Sequence, residues 1–259
     1  MGVNLTHYKN VVTDLPLKDM PVTGVTRLKE GRSVYDFYLR EWAGVDPDNG
    51  DPLWYKNVKD EQGNITGRTT TNDYAQADYY YVDKSSLPKV YGGFNTAFSY
   101  KGFELSAIFA YSIGGYIVDR DVTMLWSNGS NPGRAWSTEI LKRWTPENRY
   151  TDVPALKPES NNWNSNSTRN LFNNSYLRMK NISLGYNFKP RWKGFSNIYV
   201  YANATNLFTI TGYSWSDPDV NAFGWDASRR GVDYYCYPSS RSFSICLLYT
   251  SDAADDRIS

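Results

Sequence analysis

Six stretches of the chain alternate apolar and polar residues with a period of two, the spacing of half-buried strands. In 92–100 (GGFNTAFSY), Phe94, Thr96, Phe98 and Tyr100 share a face. In 103–112 (FELSAIFAYS), Phe103, Leu105, Ala107, Phe109 and Tyr111 share one, with Glu104, Ser106 and Ser112 opposite. Lys101-Gly102 between them predicts a tight hairpin. In 176–188, Ile182, Leu184, Tyr186 and Phe188 share a face whose parity also includes Arg178 and Lys180, so those charges are expected above an apolar band. Segment 196–208 alternates with both faces partly apolar, and its orientation is not set by sequence. Segment 33–43 offers Tyr35, Phe37 and Leu39, and the last strand offers Arg241, Phe243, Ile245, Leu247 and Tyr249.

The pattern predicts an all-β chain of six antiparallel, up-and-down strands near 33–44, 89–100, 103–114, 174–188, 196–208 and 237–248. Short links near 101–102 and 189–195 alternate with long ones at 45–88, 114–174 and 209–236. Long loops on one side and short turns on the other are the habit of outer-membrane barrels, and a sandwich tolerates few loops of that length. By parity, 33–43 starts on the short-turn side, and residues 2–12 end an earlier strand descending to it. Phe94, Phe98, Leu105, Phe109, Ile182, Leu184, Phe243 and Ile245 are expected on one continuous lipid-facing band. Ala135 to Trp144 has near-helical spacing and is expected to hold a helix ended by Pro146.

Composition narrows the function classes. The 28 basic and 27 acidic residues nearly cancel, which argues against nucleic acid as a partner. Aromatics make up 16% of the chain, which suits glycan-binding surfaces, sandwiches and the aromatic girdles of membrane barrels. No apolar run of about 18 residues predicts a transmembrane helix. No apolar h-region marks a signal peptide, so either the chain is cytoplasmic or its start lies upstream. Met1-Gly2 begins a loose myristoylation pattern, too short to weigh. Two cysteines, Cys236 and Cys246, make neither a disulfide framework nor a zinc site. The single histidine, His7, reads as a solvated side chain.

Ordered motifs sharpen the class. WAGVDPDNGDPLWY (42–55), YGGFNTAFSYKGFELSAIFAYSIGG (91–115), RWTPEN (143–148), NNSYLRMKNISLGYNF (173–188) and NIYVYANATNLFTITGYSWSDPDV (197–220), with RGVDYYCYPSSRSF (230–243), resemble segments of SusC/RagA-type TonB-dependent outer-membrane transporters in the same order. The resemblance implies that residues 1–245 are the C-terminal part, about six strands, of a 22-stranded outer-membrane β-barrel with long outer loops. It implies import of an oligosaccharide or peptide, a SusD-like lipoprotein partner, contact with outer-membrane lipid, and energy from TonB–ExbB–ExbD through a plug region outside this sequence. No enzyme activity and no cofactor is implied. The ending CLLYTSDAADDRIS (246–259) departs from the family's aromatic-terminated last strand. CLLYTSDAAD is the translation of a transposase adaptor used in sequencing libraries, so 246–259 is expected to be a non-native tail.

The loop aromatics Trp54, Trp126, Trp163, Tyr213, Trp215 and Trp225 are the candidate ligand-binding residues, because aromatic faces stack on sugar rings and bury apolar peptide side chains. The competing role for each is packing of loop on loop or on the partner. Asp46 to Asp51 suggests a calcium loop but has Asn57 where the twelfth-position Glu belongs, and Asn49-Gly50 reads as a turn. Asp217-Pro218-Asp219 reads first as a solvated turn and second as an ion or sugar-hydroxyl contact. No catalytic constellation and no metal site emerges. Two other classes stay open on the residues alone: a secreted or surface glycan-binding β-sandwich, and a passive porin-like barrel.

Overall fold

A computed structural model of the chain describes residues 1–17, 20–126, 133–157, 165–190, 195–224, 226 and 229–250. Its largest sheet has seven strands, six of which form a continuous wall: β1 (Gly2–Thr6), β2 (Val90–Tyr100), β3 (Phe103–Ile113), β4 (Tyr176–Phe188), β5 (Asn197–Thr205) and β6 (Ser242–Thr250). Each pairs with the next in chain order, always antiparallel, which is up-and-down topology. Lys101 (φ 46°) and Gly102 (φ 89°) close the β2–β3 hairpin with two left-handed residues, the turn whose twist matches that of the strands.

The register gives this wall two chemically different faces. Residues directly opposite in an antiparallel pair point the same way. Leu105 lies opposite both Phe98 and Leu184, Leu184 opposite Ala202, and Ala202 opposite Ile245. Phe94 and Phe109 are partners whose rings stack at 4.4 Å. Ile182 and Phe243 both lie opposite Ala204. The eight residues expected in one band therefore share a face, with Leu184 54% and Ile245 83% exposed. The other face carries Asn95, Ser99, Glu104, Ser106, Ser183, Asn203 and Ser244, with Ile108 and Leu248 as apolar exceptions. On that face the Tyr199 ring lies over Gly185, where a Cβ would come within 2.2 Å of its hydroxyl.

Five expected strands stand in the wall, and one does not. Stretch 33–44 instead supplies Asp36–Arg40 and Trp42–Val45 to two small separate sheets. Its place beside β2 belongs to β1, which therefore ascends toward the long loops rather than descending from them. The reason is physical: Phe37 and Leu39 do alternate inward, but into a protein core at 0% and 1% exposure. Period two does not distinguish a face buried in protein from one buried in lipid. The last strand also starts later than 237, at Ser242, and its pairing with β5 runs through Cys246 to Thr250. The rest of the 246–259 segment, from 251 on, lies outside the described residues.

The long connections 7–89, 114–175 and 206–241 all leave the edge of the wall opposite the Lys101-Gly102 turn. Among the described residues, these connections build lobes with two cores. One joins Trp54, Ala77, Val122, Trp126, Ile140 and Val153. The other joins Val25, Phe37, Leu39, Val118 and Val232. The helix expected over 135–144 is a 3₁₀ turn at Thr138–Lys142, capped by the Ser137 hydroxyl, which accepts from the Glu139 N–H at 3.3 Å. His7 stays exposed, but its Nδ1 bonds the Lys89 carbonyl at 2.6 Å across the neck of the first lobe.

Candidate functional site

The polar face of the wall meets the lobes at the outer ends of β3, β4 and β5, and two bulges shape that junction. Register steps from Ile108–Asn181 to Phe109–Met179, leaving Lys180 without an opposite residue. On the other side, β5 is continued by Thr209–Thr211, which pairs with Tyr176–Arg178, and the step from Thr205–Asn181 to Thr209–Arg178 holds one extra residue. Asn206 takes up that excess at φ 50°, a conformation Asn tolerates better than most residues. The bulge at Lys180 shifts the phase of β4, so Leu177 and Met179 continue the apolar face and Arg178 turns to the polar one. Arg178 thus does not lie above the apolar band, as strict alternation predicted.

Turned inward, Arg178 is 2% exposed and fully engaged. Its Nε donates to Thr209 Oγ1 at 2.9 Å, one Nη to Ser239 Oγ at 2.9 Å, and the other to Asp217 Oδ1. Asp217 also accepts from the Asp219 and Ser239 backbone N–H groups, each at 2.9 Å. Burial works to raise the Asp217 carboxyl, but the Arg178 bond and those N–H groups outweigh it and hold the group below its ordinary range. Asp219, two residues on, lies 3.3 Å from Lys180 Nζ. The Asp217-Pro218-Asp219 turn is therefore pinned to the wall through two cations of β4.

Beside this pin opens a crevice of about 350 Å³, lined by Tyr8, Tyr91, Ser112, Tyr176, Asp219 and Arg230. A smaller cavity of about 130 Å³ adjoins it and shares Ser112, Tyr176, Asp219 and Arg230. Ser112 lies opposite both Tyr91 and Tyr176 in the sheet, so all three point to the polar face. Arg230 lies 5.7 Å from the Tyr35 ring and makes no ion pair among the described residues. The crevice thus offers a cation, a carboxylate and phenol rings in one opening, a set able to take polar, hydroxyl-bearing or zwitterionic groups.

Deeper in the lobes lies a pair of buried carboxylates. Tyr116–Asp119 pairs in parallel with Val232–Asp233, and that register sets Asp119 beside Asp233. The Tyr213 hydroxyl stands between them, 2.5 Å from Asp119 and 3.0 Å from Asp233. One hydroxyl donates one proton, so it fully serves only one carboxylate. Burial raises the Asp119 carboxyl and pushes Asp233 up to about 6, with the neighbouring Asp119 charge adding to the effect on Asp233. The same burial and the two carboxylates push the Tyr213 phenol up. Among the described residues, no three His, Cys, Asp or Glu side chains gather as a metal site would require. In Asp46–Asp51, Asp46 and Asn49 bond the backbone two residues on, while Asp48 pairs with Arg149 and Asp51 with Lys157.

Of the six loop aromatics singled out in the sequence, the structure brings three together. Trp54, at 0% exposure, meets Trp42 and Tyr74 edge-on at 5.7 and 5.3 Å. Trp126 donates to Glu139 Oε2 at 2.7 Å and meets Trp215 at 6.0 Å, with the Arg169 guanidinium 4.2 Å from its ring. Trp215 is half-buried on the margin of this cluster. Tyr213 is buried between the two carboxylates. Trp163 and Trp225 lie outside the described residues. Sequence reasoning missed Arg178 as a buried anchor and Arg230 as a lining residue. A charge in phase with an apolar stripe was the signal for the first, since it requires either an interface position or a change of phase.

An antiparallel wall with one apolar and one polar face, short turns at one edge and folded lobes at the other defines part of an outer-membrane-type β-barrel. No family model matches the chain. It is 29% identical over 231 residues to TonB-dependent receptor P3 of Formosa agariphila, covering 85% of this chain and 22% of that protein. It is 27% identical to TonB-dependent receptor SusC of Bacteroides thetaiotaomicron, covering 87% of this chain and 20% of that protein. Among solved structures it superimposes on the RagAB peptide transporter with a TM-score of 0.71 and 29% identity, over 90% of this chain and 25% of that one. Along most of its own length the chain is similar to SusC/RagA-type TonB-dependent receptors, and it spans only about a fifth to a quarter of the length of these relatives.

Proposed function

We propose that the protein this wall belongs to imports an oligosaccharide or peptide across the outer membrane, and that the Tyr176–Asp219–Arg230 crevice lines the route. The observation that carries this reading is the two-faced register. An apolar outer band with a polar opposite face suits strands set between lipid and an aqueous lumen, and the crevice opens on the polar face. The solved relative is a peptide transporter and the curated relatives are TonB-dependent receptors, which supports import over a glycan-binding sandwich or a passive porin. A SusD-like lipoprotein is the proposed partner on the lobes, with TonB–ExbB–ExbD acting through regions beyond this chain. Trp215 has ring surface free for ligand. Trp54, Trp126 and Tyr213 serve by fixing the lobe that presents it.

The test is uptake by cells carrying a complete receptor that contains this segment. Arg230→Ala and Asp219→Ala are expected to lower uptake of its nutrient while leaving the amount of folded barrel in the outer membrane unchanged. Uptake that persists without TonB would point to a passive pore instead.

A further inference from the structure

At the short-turn edge the apolar face of the wall changes character. The register sets Tyr100 opposite Phe103 and Phe103 opposite Tyr186, so these rings form one row across β2, β3 and β4. Phe103 and Tyr186 pack at 4.6 Å, and Phe188 follows Tyr186 at 6.1 Å. Tyr100, Phe103 and Tyr186 are all exposed. From Phe94 to Tyr100 the strand advances about 20 Å at roughly 3.4 Å per residue, comparable with the apolar band of about 25 Å in such barrels. The ring row therefore marks the boundary between hydrocarbon and water.

A recess of about 640 Å³ opens at this row, between the Lys101-Gly102 turn and the end of β4. The backbone holds its two sides together, because the Asn187 N–H donates to the Gly102 carbonyl at 2.7 Å. Lys101 and Lys189 both line the recess, and both are exposed. Lys101 Nζ lies 5.2 Å from the centre of the Tyr100 ring, which puts a cation on the aromatic row itself. Neither lysine forms an ion pair among the described residues. Glu104 also lines the recess but belongs to the polar face, opposite Ser99 and Gly185. Among the described residues, the apolar face at this edge carries no carboxylate. An anion is thus offered two ammonium groups, whereas the cation of a zwitterion finds no partner on that face.

We infer that this recess holds the phosphate of an anionic phospholipid between Lys101 and Lys189, with the acyl chains laid along Leu105 and Leu184. Basic pockets at a membrane surface take anionic headgroups in this way. Short turns face the periplasm in such barrels, so the lipid comes from the inner leaflet. The inference rests on the reading of the apolar face as lipid-facing and adds to it selection of one headgroup at one place.

The test is native mass spectrometry of a complete receptor carrying this segment, in detergent. The probes are dioleoylphosphatidylglycerol, dioleoylphosphatidylethanolamine and glycerol phosphate. Phosphatidylglycerol is expected to bind about tenfold tighter than phosphatidylethanolamine. Glycerol phosphate is expected not to displace it, which separates a lipid site from a free-phosphate site. Lys101→Asn combined with Lys189→Gln is expected to lose one tightly held phosphatidylglycerol and to leave phosphatidylethanolamine binding unchanged. Asparagine keeps the turn, because it accepts the left-handed backbone ahead of glycine. Lys59→Gln, exposed on an outer lobe, is expected to lose none. Equal binding of the two lipids, an unchanged count in the double variant, or displacement by glycerol phosphate overturns the inference. If neither lipid binds, the lipid-facing reading of the face falls with it.

Discussion

Arg178 and Asp217 form an ion pair sealed from solvent at 2% and 4% exposure, joining a wall strand to the third outer connection. Breaking such a pair from one side leaves the other charge buried and alone, at a cost of about 3–5 kcal/mol. Asp217→Ala is therefore expected to lower the unfolding midpoint of the receptor strongly. Asp217→Asn, which can still accept from Arg178, should cost less. Thermal unfolding in detergent, followed by loss of heat-modifiable migration, measures both. Equal midpoints for wild type and Asp217→Ala would show that the pair holds nothing together.

The two faces of the wall make opposite demands on a new charge. Leu184→Arg is expected to cost about 2–4 kcal/mol when it falls near the bilayer midplane. Ser183→Arg, one residue away on the polar face, is expected to fall well below that. Folding equilibria in lipid vesicles give the comparison, and similar costs at both positions would remove the assignment of faces.

The Asp119–Tyr213–Asp233 cluster predicts a pH dependence with a definite sign. Asp233 is pushed up to about 6 when folded, so its ionised form is disfavoured there. The resulting destabilisation is fully present above pH 6 and disappears as pH falls toward the ordinary carboxylate range. A tenfold difference in proton affinity between the folded and unfolded chain corresponds to about 1.4 kcal/mol. Asp217 has the opposite sign, since its lowered carboxyl adds stability that is lost only at pH values below that range. Stability is therefore expected to rise between pH 7 and pH 5, and Asp233→Asn should flatten the rise. Unfolding midpoints at pH 5, 6 and 7 decide it. A rise of equal size in Asp233→Asn would place the titrating group elsewhere.

Both outer edges of the wall, β1 and β6, have a hydrogen-bonding side with no strand partner among the described residues. Unpaired backbone groups are not tolerated in hydrocarbon. The 259-residue chain expressed by itself is expected to aggregate or be degraded, whereas the same segment inside a complete barrel resists protease. A monodisperse, protease-resistant species from the chain alone would favour a self-contained β-domain.

Five wall strands were legible because alternation, turn residues and connection lengths pointed the same way. Lys101-Gly102 fixed a hairpin, and the faces of 94–98 and 105–109 followed from parity alone. Residues 35–39 misled because alternation reports burial without naming what does the burying. Arg178 misled because parity carries only as far as the next bulge, and the bulge at Lys180 has no marker in the chain except the charges themselves. The packing of Tyr38 with Tyr79 and Tyr81 was invisible for a third reason: these residues lie far apart in sequence, and only pairing of Tyr38 with Tyr81 brings them together.

Thr6 and Tyr91 are direct partners in the wall, and the His7–Lys89 bond closes the neck above them. Everything in between leaves and returns at one point of the scaffold. Loop-closure entropy grows only slowly with length, so an excursion anchored this way can be lengthened, exchanged or excised with little penalty to the strands beneath. The fold thereby separates inheritance of the wall from diversification of what stands on it. Grafting another receptor's lobe between Thr6 and Tyr91 is a direct way to transplant recognition without rebuilding a barrel.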